Sequence, residues 1–266
     1  MASASGCEAP FAIVRFSIVG SSAVEQSIGP AMSGTPGFED GWTVRFSKFL
    51  VVLKDITVAD AMGTVVSKQP GAKAYDLTKP GPVEVYAGSA AAKQYDNVSY
   101  ALASDAAVEA GNVEPGDLAL LKSRGASLIV AGSATSAMAT KTFDWTFTTN
   151  TQYESCERAE MGGKGVLLNP GQTVMVRLTI QGERFFSDQL SSEGVLRFTA
   201  VADSDSNGDG RLTFDELAAV QLDTLPSGQY GTTQGSSVRN LRDFVMAQSR
   251  RIGRFDGTGT CQSRAR

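Results

Sequence analysis

At 266 residues and 27.9 kDa the chain is long enough for one sizeable hydrophobic core or two modest ones. With 42% hydrophobic and 20% charged residues it is neither a disordered polymer nor a membrane bundle, and no run approaches the roughly 18 apolar residues of a spanning helix. A net charge of −4 and a pI near 5.0 argue against nucleic acid as a partner. The absence of histidine excludes Ser-His-Asp and Cys-His catalysis, HExxH zinc sites and imidazole-ligated copper.

Strand signals dominate from residue 11 to about 185. Phe11–Val19 is short, apolar and rich in β-branched residues. Trp42, Val44 and Phe46 alternate with Thr43, Arg45 and Ser47, the period of two that marks a sheet with one wet face, and Leu50–Val58 continues the run. Val83–Tyr86, Val98–Leu102, Leu118–Leu121, Ser127–Val130, Lys141–Thr148 and Thr173–Ile180 are predicted as further strands. Turn signals such as Gly81-Pro82, Pro115-Gly116 and Asn169-Pro170-Gly171 separate several of them. Many short strands between turns predict an antiparallel β-sandwich or barrel.

Beyond about residue 186 the pattern changes. Leu190–Val201 reads as helix or strand, because Gly194 weakens a helix there. Phe214–Leu222 places Phe214, Leu217 and Ala218 at helical spacing. Ser227–Ser237 reads as a loop, after which Ser237 is placed to cap a helix with a stripe of Val238, Leu241, Phe244, Val245, Gln248 and Ile252. Residues 239–266 hold seven arginines against two aspartates, a local charge of +5, so the rest of the chain carries −9. These arginines read as the solvated face of a helix packed on the sandwich.

Between these segments lies Asp205-Ser-Asn207-Gly-Asp209-Gly210-Arg211-Leu212-Thr213-Phe214-Asp215-Glu216, which fits the twelve-residue EF-hand calcium loop. Calcium takes six to eight oxygens, so alternate side chains must turn inward around it. Asp205, Asn207 and Asp209 fill positions 1, 3 and 5, Gly210 permits the bend at position 6, and Arg211 offers its backbone carbonyl at position 7. Thr213 stands at position 9, and Glu216 at position 12 is the expected bidentate ligand. A frame starting at Asp203 fails, since it puts Phe214 where a carboxylate is required. The Asp205 frame instead puts Leu212 at position 8, where the loop needs an apolar anchor. With three carboxylates and one amide the site is expected to bind in the range of extracellular modules, roughly 10⁻⁴–10⁻³ M.

The three cysteines, Cys7, Cys156 and Cys261, are too scattered for a thiolate zinc cage. A Cys156–Cys261 disulfide is expected, because each lies in a polar, loop-like stretch, and such a bridge implies an oxidising compartment. Ala4-Ser5-Gly6-Cys7 is similar to the end of a bacterial lipobox, which makes Cys7 a candidate lipid anchor.

The Asp-x-Asn-x-Asp-Gly core of the loop also resembles a dockerin repeat, although a second loop is absent: Asp256-Gly-Thr-Gly-Thr-Cys261 lacks the later carboxylates. More widely, three stretches resemble uncharacterised exported bacterial lipoproteins related to the MbnP-like β-sandwich copper proteins. The first is Phe38–Ile56 followed by Tyr75–Leu77 and Tyr95–Tyr100, the second Val176–Asp188, and the third Asn240–Phe244 with Gly257–Cys261. That resemblance implies histidines near Gln181–Arg184, and this chain has none, which speaks against a transition-metal role. The alternative reading of the chain as a copper or other transition-metal carrier rests on the resemblance alone.

The expected fold is therefore mainly β: a sandwich over 8–185, and over 186–266 a helical segment that carries the calcium loop. The expected function is that of a non-enzymatic calcium-binding structural or surface protein, secreted, periplasmic or on a bacterial outer surface. Its expected ligand is the calcium ion, without nucleic acid or a transmembrane span, and no protein partner can be named.

Overall fold

The first apolar run forms strand β1 (Phe11–Gly20), which buries Ala12, Val14, Phe16 and Ile18 and turns Phe11, Ile13 and Arg15 outward. A single turn of helix, α1 (Ser22–Glu25), leads to β2 (Thr43–Ala59), the longest strand at 17 residues. Then come β3 (Val65–Lys68), β4 (Ala72–Asp76), β5 (Val83–Ala91), β6 (Gln94–Tyr95), β7 (Asn97–Leu102) and β8 (Glu109–Ala110). Helix α2 (Pro115–Ser123) precedes β9 (Leu128–Thr135), β10 (Thr140–Phe147), β11 (Thr151–Glu157), β12 (Val166–Leu167) and β13 (Thr173–Ile180). The C-terminal third adds α3 (Thr199–Ala202), β14 (Arg211–Leu212), α4 (Phe214–Ala219), α5 (Leu241–Gln248), β15 (Gly253–Phe255) and β16 (Thr260–Ala265). This is a computed structural model that describes residues 10–159, 163–190 and 194–266; Cys7 lies outside the described residues.

The chain is mainly β and sandwich-like. One sheet runs β15-β13-β1-β5, and a larger curled sheet runs β14-β10-β9-β2-β7-β11-β16, with β3, β4 and β8 attached beside β2. Val14, Phe16 and Ile18 of β1 and Val176, Leu178 and Ile180 of β13 meet Val44, Phe46, Phe49 and Val130 of the larger sheet in one buried cluster. Bulges let β2 serve four neighbours in succession. The register shift between Phe46 and Lys48 moves the inward face from Val44 and Phe46 to Phe49, Val51 and Leu53. The residues between, Leu50 and Val52, then bury on the opposite side in a second, smaller cluster with Ile129 and Leu121.

That second cluster corrects one expectation. Leu118–Leu121 is not a strand but part of α2, where Pro115 stands at the first helical turn and Leu121 covers the back of β2. The sandwich is also not wholly antiparallel. β1 and β13 pair in parallel from Ile13↔Thr173 to Gly20↔Ile180, because no hairpin links two strands so far apart in the chain.

The segment beyond 186 differs from a simple helical appendage. Its Phe186, Phe198, Val201, Leu217, Leu241, Phe244 and Val245 belong to the same buried cluster as the sheets. Its last two strands return to the sandwich, β15 on β13 and β16 on β11. Among the described residues of the ambiguous Leu190–Val201 stretch, helix begins at Thr199 with the four-residue α3, and α4 ends at Ala219 rather than Leu222. Helix α5 is capped by Asn240, whose Oδ1 accepts from the Asp243 N–H at 2.9 Å, instead of by Ser237. The predicted stripe is inward all the same: Leu241, Phe244, Val245 and Gln248 are buried. Cys156 and Cys261 are joined by a disulfide that ties β11 to β16. Among the described residues no helix is long and apolar enough to cross a membrane.

Candidate metal centre

The predicted loop lies against the free edge of the larger sheet. Its residues Arg211 and Leu212 form β14, paired in parallel with Thr142 and Phe143 of β10. The Thr142 N–H donates to the Gly210 carbonyl at 2.8 Å, and the buried Trp145 indole donates to the Leu212 carbonyl at 2.9 Å. Leu212 is itself buried in the main cluster. Because successive strand carbonyls point to opposite edges, these contacts at Gly210 and Leu212 turn the Arg211 carbonyl away from β10.

The loop backbone is turned by its own short polar side chains. The Gly210 N–H donates to Asp205 Oδ2 at 2.9 Å, the Asp209 N–H to Asn207 Oδ1 at 2.8 Å, and the Arg211 N–H to Asp209 Oδ1 at 2.7 Å. Such local bonds are what Asp and Asn supply in tight turns. Gly208 and Gly210 take positive φ, 72° and 78°, which L-residues with a Cβ resist. At the far end Thr213 caps α4. Its hydroxyl accepts from the Glu216 N–H, and Glu216 Oε2 accepts from the Thr213 N–H at 3.0 Å, a capping box.

The Asp205 side chain is 1% exposed, and its Oδ2 meets the Lys141 ammonium at 2.5 Å. That hydrogen bond from Lys141 holds the Asp205 carboxyl below the usual carboxylate range. Its other oxygen, Oδ1, is buried with no hydrogen-bond partner, and so is Glu216 Oε1. An orphaned carboxylate oxygen is costly unless a cation or donor reaches it. The first and last positions of the predicted loop therefore both present an unmet acceptor.

The structure brings Asp205, Asn207, Asp209, Arg211, Thr213 and Glu216 into one turn, but among the described residues no three His, Cys, Asp or Glu side chains converge as a metal-holding group. One Glu216 oxygen is engaged with Thr213, and the Asp209 carboxylate accepts from Arg211 and from Asn207. Asp203, excluded by the sequence frame, is exposed. Lys141, Thr142 and Trp145, which hold the loop to the sheet, were invisible from the motif, since they stand more than sixty residues from their partners in the chain. The bridged Cys156 and Cys261 are not thiolate donors.

Fold and site together give a mainly β, sandwich-like protein with an acidic, glycine-containing turn paired to one sheet edge. No family model matches the chain, and no curated protein matches it. Among solved structures, MbnP from Methylosinus trichosporium is similar, with 10% identity and a TM-score of 0.36, over 68% of this chain and 79% of that one.

Proposed function

We propose that the chain is a non-enzymatic calcium-binding protein of an oxidising, extracytoplasmic setting, in which the ion fastens α4 and its flanking loop to the sandwich. Asp205, Asn207, Asp209, the Arg211 carbonyl, Thr213 and Glu216 would hold it. The observation that carries this reading is the buried, unpartnered Asp205 Oδ1, in a loop whose backbone is already bent by Asx-type bonds. The hard oxygen donors suit calcium, and the absence of histidine with bridged cysteines leaves little for softer metals. The Cys156–Cys261 bridge supports the oxidising setting. Acylation of Cys7 would add a lipid anchor to the same reading.

Calcium binding to the folded state alone should raise stability by mass action. At about tenfold the dissociation constant the gain is about 1.4 kcal/mol, or roughly 3–6 °C in melting temperature for a chain of this size. The test is a thermal melt with calcium and with chelator, alongside the fluorescence of Trp145, whose indole is bonded to the loop. Glu216→Gln should remove most of the shift, while Asp203→Asn should keep it. No calcium response at about 10 mM, tenfold above the weak end of the expected range, would overturn the proposal. So would loss of the response in Asp203→Asn with Glu216→Gln unaffected.

A further inference from the structure

The loops at one end of β2, β9 and β10 are gathered by the sheet itself. Thr43 pairs with Thr135, and Thr135 with Thr140, so Asp40–Trp42 stands beside the turn that joins β9 to β10. Helix α3 is tied to the same place. Asp40 Oδ2 accepts from the Phe198 and Thr199 N–H groups at 2.7 Å each, and the Trp42 indole donates to Thr199 Oγ1 at 3.2 Å.

These parts line a cavity of about 660 Å³, a size that suits a small organic molecule. Three carboxylates, Asp40, Asp203 and Asp205, face one ammonium, Lys141, which is committed to Asp205 at 2.5 Å. Arg197, which lines an adjoining cavity with Asp40 and Asp203, pairs with Asp188 at 3.0 Å. Asp40 Oδ1 and Asp205 Oδ1 are both buried without a hydrogen-bond partner, and the Asp205 side chain is 1% exposed. Trp42 and the exposed Met138 add apolar surface to the wall.

We propose that this cavity binds a small organic molecule with a primary ammonium group on an apolar body. Unmet carboxylate oxygens in a half-enclosed place call for donors and for positive charge. A primary ammonium supplies three N–H donors, a full charge and no acceptor. The apolar body is received by Trp42, whose ring also attracts a cation, and by the adaptable thioether of Met138. An anion is disfavoured by the excess of carboxylates. The proposal stands apart from calcium binding, because of the predicted calcium ligands only Asp205 lines this cavity.

The experiment is calorimetric titration of the intact, oxidised protein with 2-phenylethylammonium near neutral pH, in chelator so that no calcium competes for Asp205. Parallel arms use neutral 2-phenylethanol and the N-trimethyl derivative, which keeps the charge without N–H donors. A single saturable site for the primary ammonium is expected, with both comparators at least tenfold weaker. Asp40→Asn leaves an oxygen to cap α3 and removes the charge, and it should weaken binding roughly tenfold or more, the size of a lost charge-assisted hydrogen bond. Asp203→Asn should weaken it less, since Asp203 is exposed, yet it should keep the calcium shift in melting temperature. Ala137→Trp, at an exposed position in the wall, should block the cavity without touching a carboxylate. Glu216→Gln, outside the cavity, should bind the amine as the parent does while losing the calcium shift. Equal binding of 2-phenylethanol would overturn the proposal, as would parent-like binding in both Asp40→Asn and Ala137→Trp. Loss of amine binding in Glu216→Gln with Asp40→Asn unaffected would also overturn it, by moving the amine to the calcium loop.

Discussion

Reduction of the Cys156–Cys261 bridge is predicted to cost the fold about 3–5 kcal/mol. The two cysteines stand 105 residues apart in sequence, so the bridge closes a loop that contains β13, the calcium-loop-like turn, α4, α5 and β15. The chain-entropy relation for a loop of that length gives about 16 cal/mol/K, or about 4.8 kcal/mol at 25 °C, while native bridges more often deliver 2–4 kcal/mol. The surroundings favour the upper part of that range. β16 exposes nearly all its side chains and pairs with β11 across a register break between Glu154 and Glu157. Its ion pair Arg264–Glu154 is too exposed to replace the covalent tie. Urea unfolding measured at equilibrium with and without reductant reads the difference. With a slope of about 2–3 kcal/mol/M the midpoint should fall by roughly 1–2 M. A loss below about 1 kcal/mol would refute the reasoning, since it would mean that β16 and its loop are held without the bridge.

Two further predictions concern packing and charge. A Cβ on Gly253 would fall 2.5 Å from the Tyr100 hydroxyl and 2.7 Å from the Tyr153 ring. Gly253→Ala is therefore expected to destabilise by about 1–3 kcal/mol, and an unchanged melting temperature would contradict the tyrosine stack. Acidification should weaken the fold. The hydrogen bond from Lys54 holds the Asp105 carboxyl below its ordinary value, and at Asp55 burial pushes the carboxyl up but Arg266 and Lys68 outweigh it. A carboxylate with a depressed folded pKa contributes fully above its unfolded value and loses that contribution as pH falls through the folded one. The melting temperature should thus hold above about pH 5 and drop below about pH 4. Arg266→Gln should start less stable at neutral pH and lose less to acid, and identical pH profiles for variant and parent would count against the assignment.

The parts of this fold that were legible in the sequence are those whose signal is local. Thr173–Ile180 alternates cleanly and forms β13 with those bounds. The Asp-Asn-Asp-Gly spacing gave the frame in which Asp205, Asn207 and Asp209 bend the backbone. Where the deciding contact is distant, the local signal misled or fell silent. Leu118–Leu121 looks like a short buried strand until Pro115 is seen to start a helix over the back of Leu50 and Val52. β16, Thr-Cys-Gln-Ser-Arg-Ala, has no apolar period because it faces solvent, and only the ladder to β11 and the disulfide make it a strand. In β11 the inward positions are Thr151, Tyr153 and Cys156, and the irregularity after Glu154 breaks the alternation that would have marked them.

The calcium-loop-like turn raises a question that the single motif could not answer, namely how one loop holds its shape without a second beside it. A two-residue strand such as β14 has no stability alone. β10 supplies the missing neighbour, through the ladder at Thr142 and Phe143 and through the Trp145 indole. Trp145 in turn stacks on Phe214, the first residue of α4, with ring centroids 5.8 Å apart. The loop is thus joined to the core on both sides of Leu212. Lys141, next to that ladder, places a cation on Oδ2 of Asp205, which also accepts from the Gly210 N–H, and leaves Oδ1 unmet. The sheet edge holds the turn in shape while its first carboxylate keeps one free oxygen. The proposed calcium site would then depend on the sheet edge, and disrupting β10 should weaken calcium binding as surely as removing a ligand.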